Sequence, residues 1–89
     1  MSNWDVLELN VCYGSSVTFV DTRNNDVQLT MDTKNHKALF SYSFRNKAGR
    51  IFDTLESGVE WETALETLGT SQGELDRMLA EYADSLSED

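Results

Sequence analysis

The chain has 89 residues, of which 39% are hydrophobic and 26% are charged, and its formal net charge is −9. This length accommodates one domain with a thin core and leaves little room for a deep catalytic cleft. No apolar run approaches the roughly 18 residues of a membrane span, the N-terminus lacks signal-peptide features, and the one cysteine, Cys12, allows no internal disulfide. These features predict a cytoplasmic protein that does not associate with a membrane.

The first half of the chain alternates between apolar and polar residues, which is typical of strands with one buried face. The alternation covers residues 6–13, 17–20, 27–32 and 38–44. In the first segment, Leu7, Leu9, Val11 and Tyr13 are expected to share the buried face. Turn-forming residues separate the segments, so the pattern predicts an antiparallel β-meander of three to four strands.

After Phe44 the apolar residues adopt helical spacing. The three predicted helices are defined by Ala48, Ile51, Phe52 and Leu55, by Trp61, Ala64, Leu65 and Leu68, and by Leu75, Met78, Leu79, Tyr82, Ala83 and Leu86. Gly58 and Gly69 are expected to end the first two helices, and Ser71 and Glu74 to form a capping box that begins the third.

The predicted fold class is α+β, with an antiparallel meander followed by three α-helices in a winged-helix-like order. One core is expected, formed by Phe19, Leu29, Phe40, Ile51, Phe52, Leu55, Leu65, Leu75, Leu79 and Tyr82.

The charge is distributed unevenly along the chain. Residues 34–50 contain five bases, His36 and no acid, whereas residues 51–89 contain eleven acids and one base, Arg77. Such an asymmetry influences the choice of partner and the rate of encounter more than the fold.

We found no motif that predicts catalysis or a cofactor. His36 lies in a predicted turn and Cys12 in a predicted strand, and neither has a sequence-local catalytic partner. Residues 21–32 fit a calcium-loop spacing, but Arg23 occupies a ligand position and Asp26 the position that requires glycine, so we interpret this segment as a hairpin turn with no metal.

Direct DNA binding is not expected. Two helices across Gly69 behind a meander resemble a winged helix-turn-helix in outline, in which the second helix enters the major groove. The segment that would form it, residues 70–89, carries six acids and only Arg77 as a base, so phosphates would repel it.

The order of elements and the residues Asn46, Ala48, Ile51, Phe52, Leu55 and Gly58 resemble the PqqD-like peptide chaperones of pyrroloquinoline-quinone biosynthesis. These small winged-helix proteins are recognition elements of modified-peptide pathways. The resemblance covers about residues 17–86. Asn46 stands one position away from the family's asparagine, and Ser57 separates Glu56 from the glycine. The resemblance implies a non-catalytic protein that binds a leader peptide as an added strand at a sheet edge, beside a groove against the last helix.

Two functions therefore remain open, and an enzyme is the third and least favoured. In the first, the chain is a peptide- or protein-binding adaptor whose expected contact residues are Lys37, Leu39, Ser41, Ser43, Arg45, Lys47 and Arg77. In the second, it is an acidic inhibitor or immunity protein that mimics nucleic acid and blocks a basic partner through Glu74, Asp76, Glu81 and Asp84. A homodimer through the open strand edge is a further possibility.

Overall fold

The computed structural model describes residues 3–10 and 16–87, which form five strands followed by two helices. The elements are β1 (Trp4–Asn10), β2 (Ser16–Asp21), β3 (Asn24–Asp32), β4 (Lys37–Arg45), β5 (Ile51–Val59), α1 (Trp61–Leu68) and α2 (Gln72–Ser87). All neighbouring strands are antiparallel, and their order in the single sheet is their order in the chain. An antiparallel meander that precedes the helices is present as predicted, but it has five strands and not three to four. The prediction of three helices in a winged-helix arrangement is wrong, because two helices follow the sheet.

The error lies in residues 51–59, which form β5 and not the first predicted helix. The preceding loop closes a tight hairpin: the Asn46 amide donates to the Arg50 carbonyl at 2.9 Å, and the Gly49 amide donates to the Asn46 carbonyl at 3.0 Å. Gly49 has a φ of 79°, a conformation that glycine adopts without steric cost. Because the turn returns the chain alongside β4, backbone pairing with β4 replaces the helical hydrogen bonds of residues 51–59.

The bulge in β1 changes which of its residues face the core. Val6 lies opposite Phe19 and Leu9 opposite Val17, with a register shift between Val6 and Glu8. Because the extra residue interrupts the alternation, Val6 and Leu9 both pack against the core, whereas Leu7, which we expected to be buried, is 55% exposed. Our predictions for Val11, Cys12 and Tyr13 fall outside the described residues.

The core lies between one face of the sheet and the two helices. Its buried apolar residues are Trp4, Val17, Phe19, Leu29, Met31, Ala38, Trp61, Ala64, Leu65, Leu68 and Leu75. α1 packs against β3 and β4. The prediction was right for Phe19, Leu29, Leu65 and Leu75, and Phe40 and Leu79 are partly buried.

Four residues of the predicted core are instead exposed, namely Ile51, Phe52, Leu55 and Tyr82. The first three lie on β5, where no helix covers them. The side chains of Ala83 and Leu86, which we placed in the apolar stripe of the last helix, lie outside the described part of the structure.

The predicted helix ends on either side of Gly69 are confirmed, but the capping box forms only in its serine half, because the Glu74 carboxylate bonds to the Thr70 hydroxyl. Gly69 ends α1 in the left-handed conformation with a φ of 73°. The Glu74 amide donates to the Ser71 hydroxyl at 3.3 Å, so Ser71 caps α2. The Glu74 carboxylate accepts from the Thr70 hydroxyl at 3.1 Å. α2 therefore begins where the sequence predicted.

Candidate functional site

β5 forms one edge of the described sheet and β1 forms the other, and β5 is the longer and more exposed of the two. β5 pairs with β4 on one side, and among residues 3–10 and 16–87 no strand pairs with its other side. Eight of its nine residues are exposed, and Val59 is half-buried. Such an edge presents backbone donors and acceptors to which another chain can add a strand.

Beside this edge the β4–β5 hairpin exposes an apolar surface, which we call the hairpin surface and define as Tyr42, Phe44, Phe52 and Leu55. These side chains are 38–67% exposed. The Tyr42 and Phe44 ring centroids are 4.9 Å apart, those of Phe44 and Phe52 are 6.5 Å apart, and Leu55 lies directly opposite Tyr42. Large exposed apolar patches mark interaction sites more often than isolated exposed residues do.

The position of α1 explains why the hairpin surface is uncovered. Tyr42 and Phe44 share a strand face with Ala38, which is buried in the core. α1 begins at Trp61, two positions after the last residue of β5, and therefore lies at the end of the hairpin where Ala38 pairs with Val59. With only eight residues it spans about 12 Å, and the turn end of the hairpin extends beyond it.

A cavity of about 650 Å³ lies where β5 ends and α1 begins, and we call it the Trp61 cavity. It is lined by Thr30, Asp32, His36, Lys37, Ala38, Leu39, Gly58, Val59, Glu60 and Trp61. Three aliphatic side chains, an indole and three charged groups are a composition suited to holding one side chain of a partner.

Hydrogen bonds within the β3–β4 turn hold the wall of this cavity. The Asp32 carboxylate accepts from the backbone amides of Lys34 and Asn35 and from the Asn35 side-chain amide at 2.8 Å. The bond from the Asn35 side chain is the main cause that lowers the pKa of Asp32 below its ordinary value.

The His36 ring stacks on Trp61, whose indole N–H donates to the Gln72 side-chain oxygen at 2.6 Å. The turn, α1 and α2 are thus connected at one point.

The structure groups five of the seven residues that we expected to bind a peptide. Lys37, Leu39, Ser41, Ser43 and Arg45 alternate along β4, on the face away from the core residues Ala38 and Phe40.

The other two expected residues lie apart from this group. Lys47 is in the β4–β5 turn, and Arg77 is on α2, on the helical side of the sheet. β4 is paired with β3 and β5, so it offers no open edge itself, and the available edge belongs to its neighbour β5.

The four acids of the alternative site are all exposed on α2. Two of them accept local hydrogen bonds, Glu74 from the Thr70 hydroxyl and Asp76 from the Gln72 side-chain amide at 2.9 Å. With Glu81 and Asp84 they give the outer side of α2 a dense negative charge.

The residues that we considered for metal binding have structural contacts instead. The Asp21 carboxylate accepts from the Arg23 backbone amide at 2.8 Å and from two guanidinium nitrogens at 3.1 Å. The guanidinium bond is the main cause that lowers the pKa of Asp21. Within the described ranges, no three His, Cys, Asp or Glu side chains come together as metal ligands. Cys12 lies outside those ranges.

Comparisons with known proteins identify no relative. No family model matches the chain, and neither a curated protein nor a solved structure matches it. In the described residues, no helix combines the length and apolar character that crossing a membrane requires.

The sequence interpretation missed two parts of this site, the β5 edge and Trp61 as a wall of a cavity. The signal for β5 is the segment from Asn46 to Arg50, in which asparagine opens a turn and glycine closes it after an aromatic strand. No comparable sequence signal pairs His36 with Trp61, because the two residues are far apart in the chain.

Proposed function

We propose that this protein is a non-catalytic adaptor that binds an extended peptide segment of a partner protein as a sixth strand along β5. The observation that carries this proposal is an exposed edge strand of nine residues beside the hairpin surface. Backbone hydrogen bonds supply affinity in this mode of recognition, and pockets for alternate side chains supply specificity.

The surroundings of β5 define the peptide that fits best. On the helical face of the sheet, alternate side chains of the added strand would contact Leu55 and the neighbouring aromatic rings, which favours apolar residues at those positions. Near Gly58 and Val59 the peptide would reach the Trp61 cavity, which has room for one larger side chain.

Charge favours an acidic residue at the opposite end of the peptide. Lys47 and Arg50 are exposed at the turn of the hairpin. Arg45 contributes less, because its guanidinium already donates to the Asp26 carboxylate at 2.6 Å and to the Gly49 carbonyl at 2.7 Å. We place this binding in the cytoplasm, in keeping with a single cysteine.

Selection from a displayed library of random linear peptides tests the proposal. We expect the selected peptides to alternate apolar and polar residues. The double variant Phe52→Ser/Leu55→Ser should no longer bind these peptides, although its unfolding midpoint should equal that of the parent. The double variant Glu74→Lys/Asp76→Lys on α2 is the control and should bind as the parent does.

Two proline variants test whether the backbone edge itself is used. Of the adjacent residues Glu56 and Ser57, one directs its N–H to β4 and the other directs it outward. Proline at the outward position should spare the hairpin and abolish peptide binding, because it removes a donor of the new ladder. The variant that retains the parent's unfolding midpoint is therefore the informative one. Full peptide binding by that variant would contradict strand addition.

The acidic inhibitor remains a second candidate because four carboxylates are exposed on α2. For this function, Glu74→Lys/Asp76→Lys/Glu81→Lys/Asp84→Lys should abolish capture of a basic nucleic-acid-binding protein and remove its salt dependence. The Phe52→Ser/Leu55→Ser variant should leave that capture intact. The two sets of variants therefore distinguish the adaptor from the inhibitor.

A further inference from the structure

We propose that, without a peptide, the β5 edge of one copy pairs with the β5 edge of a second copy, giving a two-fold symmetric dimer with a continuous ten-stranded sheet. This proposal does not depend on the peptide partner. It rests on the open edge and on the order of residues along β5, which is complementary to itself in one antiparallel register.

A two-fold axis perpendicular to the sheet places one residue of β5 opposite the same residue of the second copy. With Leu55 at the axis, Leu55 faces Leu55, Thr54 faces Glu56, and Asp53 faces Ser57 of the second copy. No acid then lies opposite an acid, and the central contact is apolar. Cross-strand pairs of this kind are favourable, whereas like charges directly opposite each other are not.

The other symmetric registers centred within two residues of Leu55 are less favourable. An axis at Asp53 or at Glu56 places two identical carboxylates face to face. An axis at Thr54 places the apolar Leu55 opposite the charged Asp53. An axis at Ser57 directs the beginning of β5 toward α1 of the second copy, where no strand is available to pair. The Leu55 register therefore has the best combination of apolar contact and charge.

Charge also favours this register at both ends of the shared ladder. The register shift between β4 and β5 makes Phe52 the extra residue of β5, so regular pairing with the second copy covers residues 53–57. Beyond it, the extra residue shifts the pairing by one position, so Arg50 at the hairpin turn lies opposite Val59 of the second copy and within one residue of Glu60, which precedes α1. Both residues are exposed, and the symmetry produces the contact twice.

The dimer also joins the two hairpin surfaces. Leu55 lies opposite Tyr42 on β4, so two copies paired at Leu55 would place a row of Tyr42, Leu55, Leu55 and Tyr42 across the axis. Removing this apolar area from water favours association in addition to the backbone hydrogen bonds. The edge is then unavailable to peptides until the dimer dissociates, so self-association would compete with peptide binding.

Sedimentation equilibrium of the full chain over a range of concentrations tests the proposal, with Arg50→Glu, Glu60→Arg and the double variant Arg50→Glu/Glu60→Arg. We expect the parent to dimerise. Each single reversal should weaken the dimer by about tenfold, since two exposed ion pairs become two repulsive pairs. The double variant should restore the parent's dimerisation, because it exchanges the charges and keeps the pairs. Lys34→Glu, an equal charge reversal at an exposed residue of the β3–β4 turn, is the control and should leave dimerisation nearly unchanged.

Several outcomes would overturn this dimer. A parent that stays monomeric at every concentration contradicts it, and a double variant that is no better than the single reversals shows association through another surface. The two proposals can fail separately. If the chain is strictly monomeric but binds the selected peptides, the dimer proposal alone is wrong. If the chain dimerises but binds no selected peptide, the adaptor proposal alone is wrong. When both are correct, excess peptide should dissociate the parent dimer.

Discussion

The imidazole ring of His36 lies flat against the indole of Trp61, with ring centroids 4.7 Å apart and ring planes at 4° to each other. His36 ends the β3–β4 turn with a φ of 52°, a conformation that costs a residue with a Cβ about 1–2 kcal/mol. Trp61 is buried and begins α1. The stack therefore attaches the first turn of the helical layer to the sheet.

Substitution of His36 tests the contribution of this stack. His36→Ala should lower the free energy of unfolding by about 0.5–1.5 kcal/mol, because the aromatic contact is lost while the unfavourable φ remains. His36→Gly should cost less, since glycine adopts that φ freely. Urea unfolding followed by circular dichroism measures both. Equal losses for alanine and glycine would show that backbone strain at this position is negligible.

The loss of unfolding free energy on truncating an apolar residue of α2 should be larger where the residue is more deeply buried. Leu75 is fully buried, and Leu75→Ala should lower the free energy of unfolding by about 2–5 kcal/mol. Leu79 is only partly buried, so Leu79→Ala should cost clearly less than Leu75→Ala. Chemical unfolding of both variants provides the comparison. A larger loss at Leu79 would mean that α2 docks on the sheet further along its length than the structure indicates.

The Asp21–Arg23 contact predicts a loss of stability in acid. The pKa of Asp21 in the folded chain is below its ordinary value of about 3.9. The folded state therefore binds this proton less readily than the unfolded state. The contribution of the ionised Asp21 carboxylate to the free energy of unfolding is complete above the ordinary pKa. This contribution is lost as the pH falls through the lower pKa of the folded state.

Removing the Arg23 guanidinium should make the free energy of unfolding less dependent on pH in this acidic range. Arg23→Gln should show a shallower decrease in unfolding free energy below about pH 4 than the parent. Arg77→Gln, which removes the cation of α2, should retain the parent's slope. Urea titrations at successive pH values measure the slopes. An unchanged slope in Arg23→Gln would assign the acid sensitivity to other carboxylates, such as Asp32.

Two glycines of the β4–β5 hairpin should respond differently to alanine. Gly49→Ala should cost about 1–2 kcal/mol, because Gly49 has a positive φ in the turn. Gly58→Ala should be neutral or stabilising, since Gly58 is in β5 without a positive φ and the added Cβ would have nothing within 4 Å. Thermal unfolding of the pair tests this difference. A Gly58→Ala loss as large as that of Gly49→Ala would contradict the strand assignment of β5.

Local patterns in the sequence were sufficient for much of the fold. Period-two alternation identified the segments of β2, β3 and β4, because each has one face on the core and one toward solvent. The start of α2 at Ser71 and the end of α1 at Gly69 also follow from short-range chemistry. Among the site residues, the alternate face of β4 from Lys37 to Arg45 was correctly grouped for the same reason.

Only the tertiary structure decided whether residues 51–59 form a helix or a strand. Ile51, Phe52 and Leu55 have the spacing of a helical face, but that spacing predicts a helix only when the face is buried, and here all three side chains are exposed. Pairing with β4 satisfies the backbone on one side and leaves the other side open. The bulge in β1 and the stacking of His36 on Trp61 likewise depend on distant partners. The sequence by itself determined the first four strands of the meander, the end of α1 at Gly69, the start of α2 at Ser71 and the distribution of charge, because these depend on neighbours in the chain. The open edge, the hairpin surface and the Trp61 cavity required the three-dimensional structure, because each arises where segments distant in sequence meet or fail to cover one another.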